Sequence, residues 1–418
     1  MSEIPKPEVA DAPGLVWRPR KGAWVATWQP RSDIVKAGYS AHTARLWVGV
    51  EPSEIERLHI STQCQRLQAD MLLWSKGGAR LPTIFDGSIR SLINCYQTDP
   101  DSRYQKKRYS TRRNHDNTLR RIGKLHGHEL IRDIKGRTLI AWHKEWSDHG
   151  RMLANGQSFK GLMRVLFAFG FTILEDDECE RLCNVMSKMQ FEGPKSRNQA
   201  ITAEQATAIR VTARDKFGWD CVAFAQALQF ELMLRQKDVI GEWVPIAEAG
   251  ISDITWRGQK WLRGINWQEV DANFVLKHVT SKRQKEIEIN LMLAPMVVEE
   301  LALRAGVAPA LLTREMFPAA GAMVRDTQTS WPFTDTVFRR RWRKAANAAG
   351  IPKTVFNMDS RAGGITEATD ADAPMEHVRH AATHSNISMT EKYSRHSAVK
   401  AANVQRIRTE SRNKPKTE

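Results

Sequence analysis

The sequence predicts a multidomain chain, mainly helical with small β-sheets, closing in an α+β domain. Three observations carry this. At 418 residues the chain exceeds what one typical hydrophobic core serves, so two or three domains are expected. Apolar residues recur at helical spacing over most of its length, whereas Trp- and Val-rich strand-like stretches are short. The polar stretch "QFEGPKSRNQA" (190–200), with its Gly and Pro, reads as a domain linker.

In order along the chain, residues 14–48 mix Trp, Val and turn residues and predict a small sheet. "PSEIERLHISTQCQRLQADMLLW" predicts a helix, with Ile55, Leu58, Leu67 and Met71 near helical spacing. "GGARLPTIFDG" then breaks the pattern. Residues 1–84 are thus expected to form a small β/α N-terminal module.

Residues 85–192 predict a helical domain. "SIRSLINCYQ" has apolar positions at helical spacing, and "STRRNHDNTLRRIGKLHG" opens on N-cap candidates and runs into the breakers Gly123 and Gly127. "KGRTLIAWHKEWSDHG" and "SFKGLMRVLFAFGFTILEDDECERLCNVMSKM" continue as helices. Residues 193–418 form the larger domain. It opens on a helix, "TAEQATAIRVTARDKFG", with a Thr cap and Glu204 close behind. A second helix, "CVAFAQALQFELMLRQKDVI", leads into strands within "ITWRGQKWLRGINWQEVDANFVLKHV", and helices follow to the end.

The formal net charge is +16 and the pI about 9.8, which favours a polyanionic partner, nucleic acid before an anionic membrane. The basic residues recur in separated runs. "RYQKKRYSTRRNHDNTLRR" supplies Arg112 and Arg113, and "RRRWRK" supplies Arg339, Arg340 and Arg343, as candidate DNA contacts. Solvated basic faces of an ordinary soluble protein account for the charge equally well. No run of eighteen apolar residues exists, so no transmembrane helix is expected, and the N-terminus lacks an apolar signal region. Five cysteines without paired metal-ligand spacing argue against zinc and for reduced thiols in a cytoplasm.

Four segments carry residues suited to chemistry on a phosphate. In "ELMLRQKD", Arg235 follows a mostly apolar run and needs a partner or an anionic ligand; Asp238, three positions on, offers a structural pair instead. In "TSKRQKEIEINL", Ile287, Ile289 and Leu291 alternate with polar residues as in a half-buried strand. The "SKRQK" before it reads as a hairpin turn, its lysine either a phosphate contact or simply solvated. In "NMDSRAGGITEATDADAP", Arg361 precedes two glycines at a helix start, where a guanidinium and backbone N–H groups favour phosphate, although an ordinary charged helix end fits too. In "HAATHSNISMTEKYSRH", His384 and Tyr393 stand nine positions apart, in a chain with only 5 Tyr. A phenol needs surrounding cations to act as a nucleophile, and without them Tyr393 is a helix residue with a wet hydroxyl.

These segments, in this order, resemble the catalytic domain of the tyrosine recombinase, or phage integrase, family. Arg235 resembles the family's first arginine, Lys282 its β-hairpin lysine, Arg361 the arginine of its His-x-x-Arg motif, and His384 and Tyr393 its closing motif. The resemblance covers about residues 196–396. By position and helicity, 85–192 is similar to the core-binding domain, and 1–84 more weakly to arm-type DNA-binding modules. One position departs from the pattern: the motif histidine falls at Met358, and a thioether cannot shuttle a proton. His377 and His380 lie downstream as substitutes.

The resemblance implies cutting and rejoining of double-stranded DNA with no cofactor and no metal. Tyr393 attacks the scissile phosphate and leaves a 3′-phosphotyrosyl bond, Arg235 and Arg361 hold the non-bridging oxygens, Lys282 protonates the leaving 5′-oxygen, and His384 hydrogen-bonds the phosphate. It further implies a homotetramer on two DNA sites, room for a DNA-bending accessory protein, and a place in the cytoplasm with the nucleoid. A non-catalytic DNA-binding protein keeping the fold, which Met358 favours, and a topoisomerase-like relaxing enzyme are the competing expectations.

Overall fold

The computed structural model describes residues 5–20, 22–37, 39, 43–76, 85–391, 405, 406, 408 and 409. The chain divides into two compact units, 1–194 and 195–418.

The first unit opens with a three-stranded antiparallel sheet of β1 (Leu15–Arg20), β2 (Ala23–Trp28) and β3 (Ala44–Gly49), in that order, with the short α1 (Ser32–Lys36) between the last two. Helix α2 (Glu54–Ser75) lies on it. Ser53 and Glu56 cap α2 reciprocally: the Glu56 N–H donates to Ser53 Oγ at 3.4 Å and the Ser53 N–H to Glu56 Oε2 at 2.8 Å. The buried stripe of α2 is Ile60, Cys64 and Met71, packed on Trp28, Ile34 and Tyr39. Of the expected stripe, Met71 is buried and Leu67 packs partly buried beside it, whereas Ile55 and Leu58 are 82% and 70% exposed. Ile55 and Leu58 lie on the opposite side of the helix, and spacing alone does not choose the buried side when apolar residues occur all round.

The rest of this unit is helical: α3 (Ile89–Thr98), α4 (Tyr109–His126), α5 (Gly136–Trp146), α6 (Leu153–Ile173) and α7 (Asp177–Lys188). They share one core around Leu92, Leu119, Trp142, Phe159, Leu166 and Leu182. Helix α4 begins one residue before the expected caps, so Ser110 and Thr111 sit in its first turn. Gly123 lies inside it, facing Ile93, and only Gly127 ends it.

The second unit is built on α9 (Asp220–Glu231), whose residues Cys221–Phe230 are all buried. Around it pack α8 (Ala203–Val211), α11 (Pro295–Ala305), α12 (Asp335–Ala348) and α13 (Asp359–Asp370). Thr202 caps α8 as expected, but its reciprocal partner is Gln205 rather than Glu204. Short α10 (Gln236–Ile240) leads to a second antiparallel sheet, β4 (Glu242–Pro245), β5 (Thr255–Trp256) and β6 (Gln259–Leu262), in order β4-β6-β5. A hairpin of β7 (Val275–Val279) and β8 (Glu286–Asn290) follows, pairing Leu276 with Ile289 and His278 with Ile287. The alternation read from the sequence holds: Ile287 and Ile289 are half-buried between exposed glutamates. Helices α14 (Met375–Ala381) and α15 (Ile387–Glu391) close the described chain. Among the described residues no helix is long and apolar enough to cross a membrane.

Candidate active site

The helix expected to run unbroken through "CVAFAQALQFELMLRQKDVI" is interrupted at residues 232–235. Met233 adopts φ +51°, in the left-handed region, and α10 restarts with Arg235 at its N-cap. The polar groups freed by the break have specific partners. The Met233 carbonyl accepts from Arg361 Nη1 at 2.6 Å, and the Arg235 N–H donates to Asp238 Oδ2 at 3.2 Å. The same carboxylate oxygen lies 3.9 Å from Arg235 Nη1, while Oδ1 of the fully buried Asp238 accepts from the Ser281 N–H at 2.6 Å. The break turns Arg235 out of the apolar interior, and one buried carboxylate ties it to the β7–β8 turn.

Arg361 sits in the first turn of α13, and the two glycines after it explain how α13 comes so close to α9. A Cβ on Gly363 would stand 2.0 Å from the Ile201 carbonyl oxygen, and one on Gly364 would stand 2.2 Å from that of Phe230. Both glycines are therefore packing residues, a reason for "RAGG" distinct from phosphate binding. Besides the Met233 carbonyl, the buried Arg361 guanidinium donates to the Ala382 carbonyl.

The two arginines converge on the turn after α14. Arg361 holds Ala382, and Arg235 Nη1 donates to Thr383 Oγ1 at 3.3 Å. His384 is next, 1% exposed, its Nδ1 3.0 Å from Oγ1 of the buried Thr390. Burial foremost, then the positive charges of Arg361, Arg235, Arg283 and Lys285, push the His384 pKa down to about 4. At neutral pH it is an uncharged imidazole among four cations.

The hairpin turn delivers two of those cations. Thr280 closes it, its N–H donating to the Lys285 carbonyl at 2.9 Å and its Oγ1 accepting from the Lys285 N–H at 3.2 Å. Lys285 Nζ donates to the His384 carbonyl at 3.3 Å, and Arg283 Nη2 lies 3.7 Å from Met389 Sδ. Lys282 is exposed at the tip of the turn. Lys285 was passed over in the sequence. The available signal was that it closes the same "SKRQK" run, three positions on.

Met358 is 65% exposed at the N-cap of α13, where its thioether meets solvent. The next residue, Asp359, is buried and paired with Arg197 at 2.7 Å. His377 and His380 are exposed on α14, and His380 Nε2 accepts from Arg379 at 3.1 Å. Tyr393 lies outside the described residues.

The basic runs are placed unevenly. On α4, Arg113 is exposed, while Arg112 Nη1 donates to the Lys107 carbonyl at 2.6 Å. On α12, Arg340 is exposed and Arg339 is exposed but pairs with Asp335 at 2.5 Å. Arg343 is turned inward onto the carbonyls of Val355 and Pro352, its guanidinium 5.0 Å from the Trp342 ring. No three His, Cys, Asp or Glu side chains gather to hold a metal ion among the described residues.

No protein-family model matches the sequence, and no curated protein matches it. Solved structures do match. A lambda integrase dimer bound to a COC′ core site covers 94% of this chain and 95% of its own, with a TM-score of 0.53 at 15% identity. A lambda integrase tetramer bound to a Holliday junction covers 92% and 96%, with a TM-score of 0.53 at 14% identity. A variant of the Tn1549 transposon integrase in complex with a circular intermediate DNA covers 77% and 100%, with a TM-score of 0.52 at 15% identity. The chain therefore has the tyrosine recombinase fold, the fold of these integrases.

Proposed function

We propose that this protein is a site-specific DNA recombinase that cuts and rejoins duplex DNA through a 3′-phosphotyrosyl intermediate on Tyr393. The observation that carries the reading is the convergence of Arg235 and Arg361 on the turn holding His384. Two guanidiniums beside one neutral imidazole suit a phosphate whose charge grows in the five-coordinate transition state. Each well-placed donor contributes ~3–4 kcal/mol of such stabilisation.

In the proposed reaction the Tyr393 hydroxyl gives its proton to water, no histidine standing at position 358, and its oxygen bonds to the scissile phosphorus. The bond to the 5′-oxygen breaks, and Lys282 gives that oxygen its proton. Attack by a second 5′-hydroxyl reverses the step on a new partner, so the phosphodiester bond energy is kept and no nucleotide is consumed. Arg112 and Arg113 of α4 and Arg339 and Arg340 of α12 are proposed to meet the DNA backbone, whereas Arg343 is taken up by the carbonyls of Val355 and Pro352. By analogy with the tetrameric integrase, four protomers would act on two sites, with or without a DNA-bending accessory protein.

The test uses a duplex selected for binding and nicked near the cleavage position. A covalent adduct formed by the wild type and lost in Tyr393→Phe supports the enzyme; no adduct on a duplex the protein binds would sink it. Affinity for the same duplex should also fall steeply as salt rises.

The exposed thioether at Met358 favours a second reading, a DNA-binding protein that keeps the fold with impaired cleavage. Met358→His separates the two. A faster or unchanged cleavage rate fits an active enzyme lacking one assisting group. Cleavage that appears only in the variant identifies the binding protein.

A further inference from the structure

Thr390 uses its hydroxyl differently from several helical threonines among the described residues. Thr62, Thr98, Thr118 and Thr172 each donate to the carbonyl four residues back, at 2.8, 2.8, 3.2 and 2.7 Å. The Thr390 hydroxyl, fully buried, is instead 3.0 Å from His384 Nδ1, its one hydrogen-bond partner among the described residues.

This contact decides where the imidazole proton sits. A neutral histidine carries one ring proton, and the partner of one nitrogen determines the state of the other. If Nδ1 held the proton and donated to Thr390, the buried hydroxyl proton would have no acceptor among the described residues, and a buried unsatisfied donor is costly. If the hydroxyl donates to Nδ1, both groups are satisfied and the ring proton lies on Nε2. The cations around the ring oppose a second proton.

We propose that Thr390 is a positioning residue whose hydroxyl donates to Nδ1 of His384 and so holds the ring as its Nε2–H tautomer, a neutral donor toward a phosphate oxygen. Only the consequence for catalysis rests on the recombinase reading; the tautomer stands on the geometry. Thr390 also joins α15 to the turn held by Arg235 and Arg361, coupling donor orientation to the helix just before Tyr393.

The experiment is the side-chain nitrogen NMR spectrum of histidine-labelled full-length protein, with His384→Gln assigning the signal, run beside cleavage of the nicked duplex. In the wild type His384 should show an unprotonated Nδ1 and a protonated Nε2. Thr390→Ser should keep that spectrum and most of the cleavage rate. Thr390→Val should lose the tautomer preference and cleave about tenfold more slowly, the scale of losing a group that orients a reacting side chain. A protonated Nδ1 in the wild type overturns the proposal and needs no variant to fold. An unchanged His384 spectrum in Thr390→Val overturns it too. If the wild type forms no adduct, the recombinase reading fails while the spectrum still decides the tautomer.

Discussion

The carboxylate of Asp238 accepts a 2.6 Å hydrogen bond from the backbone N–H of Ser281, across 43 positions of sequence. Its other oxygen accepts from the Arg235 N–H, so a single buried side chain holds the start of α10 and the hairpin turn together. Asp238→Asn keeps the size but replaces one of two acceptors by a donor, which must face the N–H of either Arg235 or Ser281. It should destabilise the fold by about 3 kcal/mol, the scale of breaking a buried charged pair, and lower adduct formation. Urea unfolding checks the first expectation, and an unchanged midpoint would show that the carboxylate holds nothing.

The two hairpin lysines separate by leaving group. Lys282 is the proposed proton donor, whereas Lys285 lies on the His384 carbonyl. Lys282→Ala should cleave an ordinary duplex poorly and recover on one with sulfur at the 5′-bridging position, because a thiolate leaves without a proton. Lys285→Ala should lose rate on both substrates alike. Sulfur rescue of Lys285→Ala alone would transfer the donor role to it.

The glycine pair offers a steric test. Gly364→Ala drives a methyl against the Phe230 carbonyl and should cost about 1–3 kcal/mol while shifting Arg361. Gly161, exposed on α6 with open space at its Cβ position, is the control. Gly161→Ala should gain up to about 1 kcal/mol of helix propensity. Thermal unfolding of both variants decides, and equal shifts in the two would remove the close approach as the reason for "RAGG".

Stability should fall in mild acid through His384. Its folded pKa, about 4, lies below the ordinary value of 6.5. The unfolded chain therefore takes up a proton first as pH drops. The contribution is complete above pH 6.5 and is lost progressively toward pH 4, by up to about 3 kcal/mol. His384→Gln should flatten this part of the profile. Parallel urea profiles for wild type and variant across that range would contradict the assignment.

Much of the local structure was legible in the residues. The alternation of β8, the Thr202 cap, the helices of residues 85–192 and the three-residue step from Arg235 to Asp238 are short-range features. What escaped depends on distant partners. The carbonyl freed by the break at residues 232–235 finds its partner in Arg361, 128 positions away. The inward turn of Arg343 onto Val355 follows from how the chain folds back after α12, and the buried face of α2 from where the first sheet lies.

By itself, then, the sequence determined most of the elements, though not the break between α9 and α10, and which side chains have chemistry suited to a phosphate: Arg235, Lys282, Arg361, His384 and, on sequence alone, Tyr393. Propensity, alternation and motif spacing act over a few residues and are written in the chain. Only the tertiary structure decided that Arg235 and Arg361 meet at one turn, that Lys285 rather than Lys282 lies on His384, and that Thr390 holds its ring. Those outcomes depend on packing at Gly363 and Gly364 and on buried hydrogen bonds whose partners lie far apart along the chain, and no local pattern encodes them.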